Sequence, residues 1–171
     1  LRRALFVKDG PLAIRAQYSK LVEPIRQFLA MARDTGIEIC VLGQEKGGAF
    51  ADHLALIGDH VPAGSVFVPG HQYIREQVQH RPVAGAPYGK DTNYGAKVLV
   101  RVTERHKMVL NIPTGLFVQD PSIGNLIGAA QIFATLPSLL SSRYEDGLLP
   151  VELANAVASL STYPSAQILA L

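Results

Sequence analysis

The sequence predicts a soluble α/β domain on a mainly parallel sheet, with its working site at the carboxyl ends of the strands that carry Asp9 and Glu45. Three observations point there. A strand–helix–strand pattern opens the chain, and an acidic residue follows each of the first two strands. The composition, 48% hydrophobic and 18% charged, is that of a globular protein rather than a disordered one. At 171 residues the chain suits one domain spanning 1–171, able to bury roughly two-thirds of its unfolded surface without disulfides or metals.

Ala4-Leu5-Phe6-Val7 is short and apolar and runs into the turn cluster Lys8-Asp9-Gly10-Pro11, which predicts a strand. Between residues 14 and 34, Leu21, Ile25, Phe28, Leu29 and Ala32 recur at helical spacing and Gly36 marks the end. Pro24 inside this stretch predicts a kink or a division into two helices. Residues 37–42 form a second strand, stopped by Gly43. One crossover helix between two strands normally makes a parallel pair. Phe50, Leu54 and Ile57 predict a short helix, 65–68 a brief strand, 71–79 another short helix and 81–92 a loop. Residues 97–102 and 107–112 alternate in polarity around Thr103-Glu104-Arg105-His106, the pattern of a β-hairpin. The apolar stretch 122–140 predicts a long helix, kinked near Pro137 and buried on more than one side. Helices at 151–160 and 163–171 complete a helical C-terminal region.

Several classes are disfavoured. No signal peptide is evident, and no uninterrupted apolar stretch reaches the ~18 residues of a membrane span, so no membrane association is expected. Cys40 is the only cysteine and lies in the apolar run 37–42, which predicts a buried thiol and a cytoplasmic, reducing setting. A formal charge of +2 is too small to argue for nucleic acid by itself, although Arg2, Arg3 and Lys8 cluster near the start. Both termini fall in or beside structured runs, which suggests a piece of a longer chain. The apolar C-terminal region suggests a homodimer.

The chemistry is expected at Asp9 and Glu45. Neighbouring parallel strands, ~4.8 Å apart, bring both carboxylates to one sheet edge, and open α/β sheets bind ligands outside the carboxyl ends of their strands. Two close carboxylates repel unless something positive intervenes. A hard divalent cation, Mn²⁺ or Mg²⁺, satisfies them through oxygen and assists phosphodiester hydrolysis. Alternatively, Lys8 and Lys46 simply pair with them. Asp52 on the following helix and Asp91 are reserve ligands. Gln44-Glu45-Lys46-Gly47-Gly48 precedes a helix and suits an anion contact by Lys46, but it lacks the spacing of a Walker loop. Tyr88, Lys90, Tyr94 and Lys97 place aromatic faces beside cations, as single-stranded nucleic acid prefers; equally, the tyrosines cover the rim of the core. The five histidines, His53, His60, His71, His80 and His106, show no metal-ligand spacing and read mostly as surface residues, His106 in the hairpin turn.

At Val7-Lys8-Asp9-Gly10-Pro11-Leu12 and Val41-Leu42-Gly43-Gln44-Glu45-Lys46 the chain resembles the NurA-domain nucleases, which carry Asp-Gly after an early strand and a Gly-x-x-Lys turn after a later one. The resemblance implies an RNase H-like core similar to the Piwi nuclease domain. It also implies manganese-dependent DNA cleavage in DNA end processing and repair, beside a HerA-type hexameric ATPase. It makes Asp9 the first metal-binding Asp, with Glu45, Asp52 or Asp59 as further ligands. The chain departs from the family where a Tyr-Pro pair should precede a helix bearing a His. Here Leu149-Pro150 precedes 151–160, Val157 stands where the His would be, and no His follows Tyr163-Pro164. Three readings follow: a metal-dependent nuclease, a catalytically impaired module that binds DNA or a helicase partner, and a small-ligand α/β protein using the glycine turn for a phosphate.

Overall fold

The computed structural model describes residues 3–36 and 38–160; the expected helix at 163–171 and the Tyr163-Pro164 pair lie outside them. Five strands form one sheet: β1 (Arg3–Asp9), β2 (Glu38–Glu45), β3 (Ser65–Phe67), β4 (Gly95–Arg101) and β5 (Lys107–Pro113), in the order β1-β2-β5-β4-β3. β1 and β2 pair in parallel from Arg3↔Glu38 to Asp9↔Gln44. The intervening segment crosses over as a 3-10 turn (Ala16–Leu21) leading into α1 (Val22–Asp34). The division falls two residues before Pro24, which sits in the first helical turn, where its missing N–H costs no intrahelical bond.

The sheet is not largely parallel. Of its four pairings only β1–β2 is parallel; β2–β5, β5–β4 and β4–β3 are antiparallel. The cause is local. The turn after Arg101 reverses the chain, closed by Val102 N–H donating to the His106 carbonyl at 2.9 Å, and β5 then lies against β2 through Gly43↔Asn111 and Glu45↔Val109. The result is a mixed α/β domain.

Strand alternation gives the sheet two buried faces. Cys40 and Leu42 of β2, Val98 and Val100 of β4, and Met108, Leu110 and Ile112 of β5 share one cluster with Leu126, Ile132, Leu136, Leu148 and Val151. That face is covered by α4 (Ala129–Thr135) and α5 (Leu149–Leu160). On the other face Leu99 and Val109 meet Phe50 and Leu54 of α2 (Ala49–Ile57). Ile74 and Val78 join them from a π-helical turn that continues α3 (His71–Tyr73). Each buried Leu or Ile is worth ~1.5–3 kcal/mol, so burial on both faces is the main stabilising term. The free thiol of Cys40 is buried.

Two further expectations are corrected. Gly43 does not stop β2, which continues to Glu45; a Cβ there would lie 2.7 Å from the Gly10 carbonyl oxygen, so glycine is required by close approach of the β1 turn. The stretch 122–140 is not one helix. It breaks into a 3-10 turn (Ile123–Asn125), α4 and a second 3-10 turn (Leu136–Leu139). Gly128, at φ +74° with Cys40 Sγ 2.6 Å from where its Cβ would be, starts α4 afresh. Among the described residues no helix is long and apolar enough to cross a membrane.

Candidate functional site

Asp9 and Glu45 are the last residues of β1 and β2 and leave the same end of the sheet, but the register pairs Asp9 with Gln44, which places Asp9 on the face of Leu42 and Gln44 and Glu45 on the opposite one. Their surroundings differ. Glu45 lies on the α2 side of the sheet, in line with Val109, Leu99, Lys97 and Asn111. Its Oε1 accepts from Lys97 Nζ and, at 2.6 Å, from Asn111 Nδ2. Lys97 is buried, with only 3% of its side chain exposed, and Nζ lies 4.9 Å from the Phe50 ring centroid. Burial pulls its pKa below the ordinary ammonium value, and the Glu45 carboxylate partly restores it. Asn111 Oδ1 is buried and has no partner among the described residues. Both donors converge on Oε1, so among the described residues Oε2 of Glu45 has none.

Asp9 is half exposed, and among the described residues its carboxylate meets Lys46 Nζ, at 3.6 Å, the kind of solvated pair worth ~0–1 kcal/mol. Each strand-end acid thus has its own lysine, and the partner of Glu45 is Lys97, not one of the two lysines adjacent in sequence. Lys8 Nζ ties the turn instead, donating to the Pro11 carbonyl at 2.8 Å and to the Asp9 backbone carbonyl at 3.3 Å.

An open cavity of about 450 Å³ adjoins Glu45 and is lined also by Lys46, Asp52, Lys107, Glu145 and Asp146. Asp52 reaches it from the first turn of α2. Asp146 arrives because the Gln44 side-chain amide donates to its carbonyl, fastening the loop before α5 to the end of β2. Lys107 is engaged by Asp59 Oδ1 at 2.7 Å, and this cation holds the Asp59 carboxyl below its usual range. Asp91 is exposed in the turn before β4 and does not line this cavity.

Among the described residues no group of three or more His, Cys, Asp or Glu is arranged to hold a metal. Mg²⁺ does not need one: it keeps several waters and commonly uses one or two carboxylates plus substrate phosphates. Of the acids at this end of the sheet, Glu45 and Asp52 line one cavity and Asp9 does not; two carboxylates in one cavity are the number such looser coordination uses. Lys97 and Asn111 fix the orientation of the Glu45 carboxylate.

The expected nucleic-acid contacts are divided by burial. Lys90 is exposed, Lys46 and Tyr94 partly so. Lys97 spends its charge on Glu45 and is closed off from a passing strand. Tyr88 stacks on Phe50 at 5.6 Å in a tilted arrangement, serving the core rim. Burial drives its phenol pKa up to about 12; a hydrogen bond with Asn93 opposes the rise and the Glu45 charge adds to it. Because this pKa exceeds the ordinary 10, the folded state disfavours the phenolate. The stability so contributed is intact below pH ~10 and is lost as pH rises toward ~12, about 1 kcal/mol of it by pH 11. Urea denaturation at pH 9 and 11 should show the native chain losing that much more than Tyr88→Phe; equal losses would put the phenol in water.

Two histidines are structural. His106 is in the hairpin turn, held by Thr103 Oγ1 at 2.9 Å and the Ser141 carbonyl at 3.0 Å. His71, against the expectation of a surface residue, is buried, and its Nδ1 accepts from Tyr88 N–H at 3.0 Å. The residues missed in the sequence are Asn111, Glu145 and Asp146. Asn111 left a signal, a polar side chain at an inward strand position between Leu110 and Ile112; the other two, far along the chain in a turn, left none. No family model, curated protein or solved structure matches the chain.

Proposed function

We propose that this chain is a divalent-metal-dependent DNA nuclease with an RNase H-like core, resembling the NurA-domain enzymes of DNA end processing. The observation that carries the proposal is Glu45. It is a carboxylate at the carboxyl end of a sheet strand, fixed through one oxygen by Lys97 and Asn111, and it lines a charged cavity. A mixed sheet with one parallel pair at its edge is compatible with the proposed core.

In this reading Glu45 and Asp52, which line one cavity, hold Mn²⁺ or Mg²⁺, and Asp9 completes the shell from the end of β1. When bound, the ion supplies positive charge against the charge that develops on a phosphodiester. Lys97 and Asn111 orient the Glu45 carboxylate. Lys46 is released from Asp9 at little cost, since their contact is long and solvated, and is then free to meet a phosphate oxygen. The test is direct. Purified chain should digest linear DNA with Mn²⁺ or Mg²⁺ and leave it intact in excess chelator.

The second reading, an impaired module that binds DNA or a HerA-type ATPase without cutting, is favoured by two observations. Both strand-end acids already carry lysine partners, and α5 exposes Leu149, Leu153 and Val157 at four-residue spacing. DNA retained on the chain in Mn²⁺ without any cleavage would select it. Neither binding nor cleavage would remove both.

A further inference from the structure

A second, smaller cavity of about 40 Å³ lies between α1, α3 and the start of β4, lined by Arg26, His71, Asn93, Lys97, Thr114 and Gln119 among others. No Asp or Glu is in its lining. Arg26 and Lys97 are both buried, at 3% and 4% exposure, and each meets its carboxylate outside the cavity. Arg26 NH1 donates to Glu23 on its own helix at 3.1 Å, and Lys97 donates to Glu45. Arg26 NH2 is spent on the Lys90 carbonyl at 3.2 Å and on that of Asn93. That leaves Arg26 Nε, buried and without a partner among the described residues.

A buried N–H of a charged group left unsatisfied is costly. The space exceeds the ~10–15 Å³ that one water needs, and because the carboxylates paired with Arg26 and Lys97 lie outside its lining, an anion gains an attraction there that a water does not. We propose that this cavity binds a small inorganic anion of halide size, taking a charge-assisted hydrogen bond from Arg26 Nε and a second from the Thr114 hydroxyl. Because Arg26 also holds the carbonyls of Lys90 and Asn93, the anion locks the segment leading into β4 onto α1. The inference is independent of the nuclease reading.

Two measurements test it. In crystals of the chain grown in bromide, an anomalous peak should lie within hydrogen-bond distance of Arg26 Nε. In solution, replacing gluconate by chloride at constant ionic strength should raise Tm by about 2–4 °C. Arg26→Lys, which lacks Nε–H, and the near-isosteric Thr114→Val should each abolish that increment. Should Arg26→Lys fail to fold, Thr114→Val alone decides. Water in the cavity of bromide-grown crystals, or a chloride increment that persists in Thr114→Val as a general salt effect, overturns the site.

Discussion

Lys97→Ala should destabilise the fold by about 3–5 kcal/mol, the cost of leaving one member of a buried ion pair without the other. Glu45 and Lys97 have only 12% and 3% of their side chains exposed, so water is a poor substitute for the missing ammonium. Asn111 offers Glu45 a single neutral donor. The same change leaves a hole beneath Phe50, whose ring the Lys97 ammonium faces. The sign of the charge term is testable by removing both charges. In Glu45→Gln with Lys97→Met, Asn111 keeps its acceptor and no charge is buried, so more than half of the loss should be recovered. Urea denaturation of the two variants separates the alternatives. A Lys97→Ala chain within about 1 kcal/mol of the native one would mean that the pair is solvated and that Glu45 is not held as described.

The β-α-β opening was legible because its signals are local: an apolar run, a 3.6-residue period, a second apolar run. The hairpin of β4 and β5 was equally legible from alternation around residues 103–106. What no local pattern specified was the neighbour of β2. Placing β5 there brings Asn111 opposite Gly43 and makes the sheet mostly antiparallel, and the hairpin alone already committed two strands to antiparallel pairing. Gly43 misled for a physical reason: a glycine that ends a strand and a glycine that admits another backbone look alike in sequence. At the site, Asp9 and Glu45 were legible as strand-end acids. Lys97 was misplaced as a nucleic-acid contact because it follows a polar loop, although it is in phase with Leu99 on the inward face of β4. Asp146 joins through a backbone carbonyl, 102 positions from Gln44, which side-chain patterns do not encode.

Asp9→Ala should lower Mn²⁺-dependent DNA cleavage by ~10²–10³-fold, the scale on which removing a preorganised electrostatic group acts, while leaving the fold intact. The two halves of that expectation have separate origins. Asp9 is half exposed and its one ion pair is long, so its removal costs ~1 kcal/mol or less and Tm should move by no more than a few degrees. In the nuclease reading, cleavage draws instead on the charge that Asp9 brings to the end of the sheet from which Glu45 also leaves. Glu45 cannot serve as the clean probe, because any neutral replacement strands Lys97 in the interior. Asp9 dissociates chemistry from stability, and Lys46→Ala provides the control: it removes the same ion pair while keeping the carboxylate. If Asp9→Ala and Lys46→Ala reduce cleavage equally, the ion pair matters as a phosphate-positioning unit rather than Asp9 as a metal ligand. If Asp9→Ala cleaves like the native chain, the strand-end acids are structural charges and the cutting site lies elsewhere.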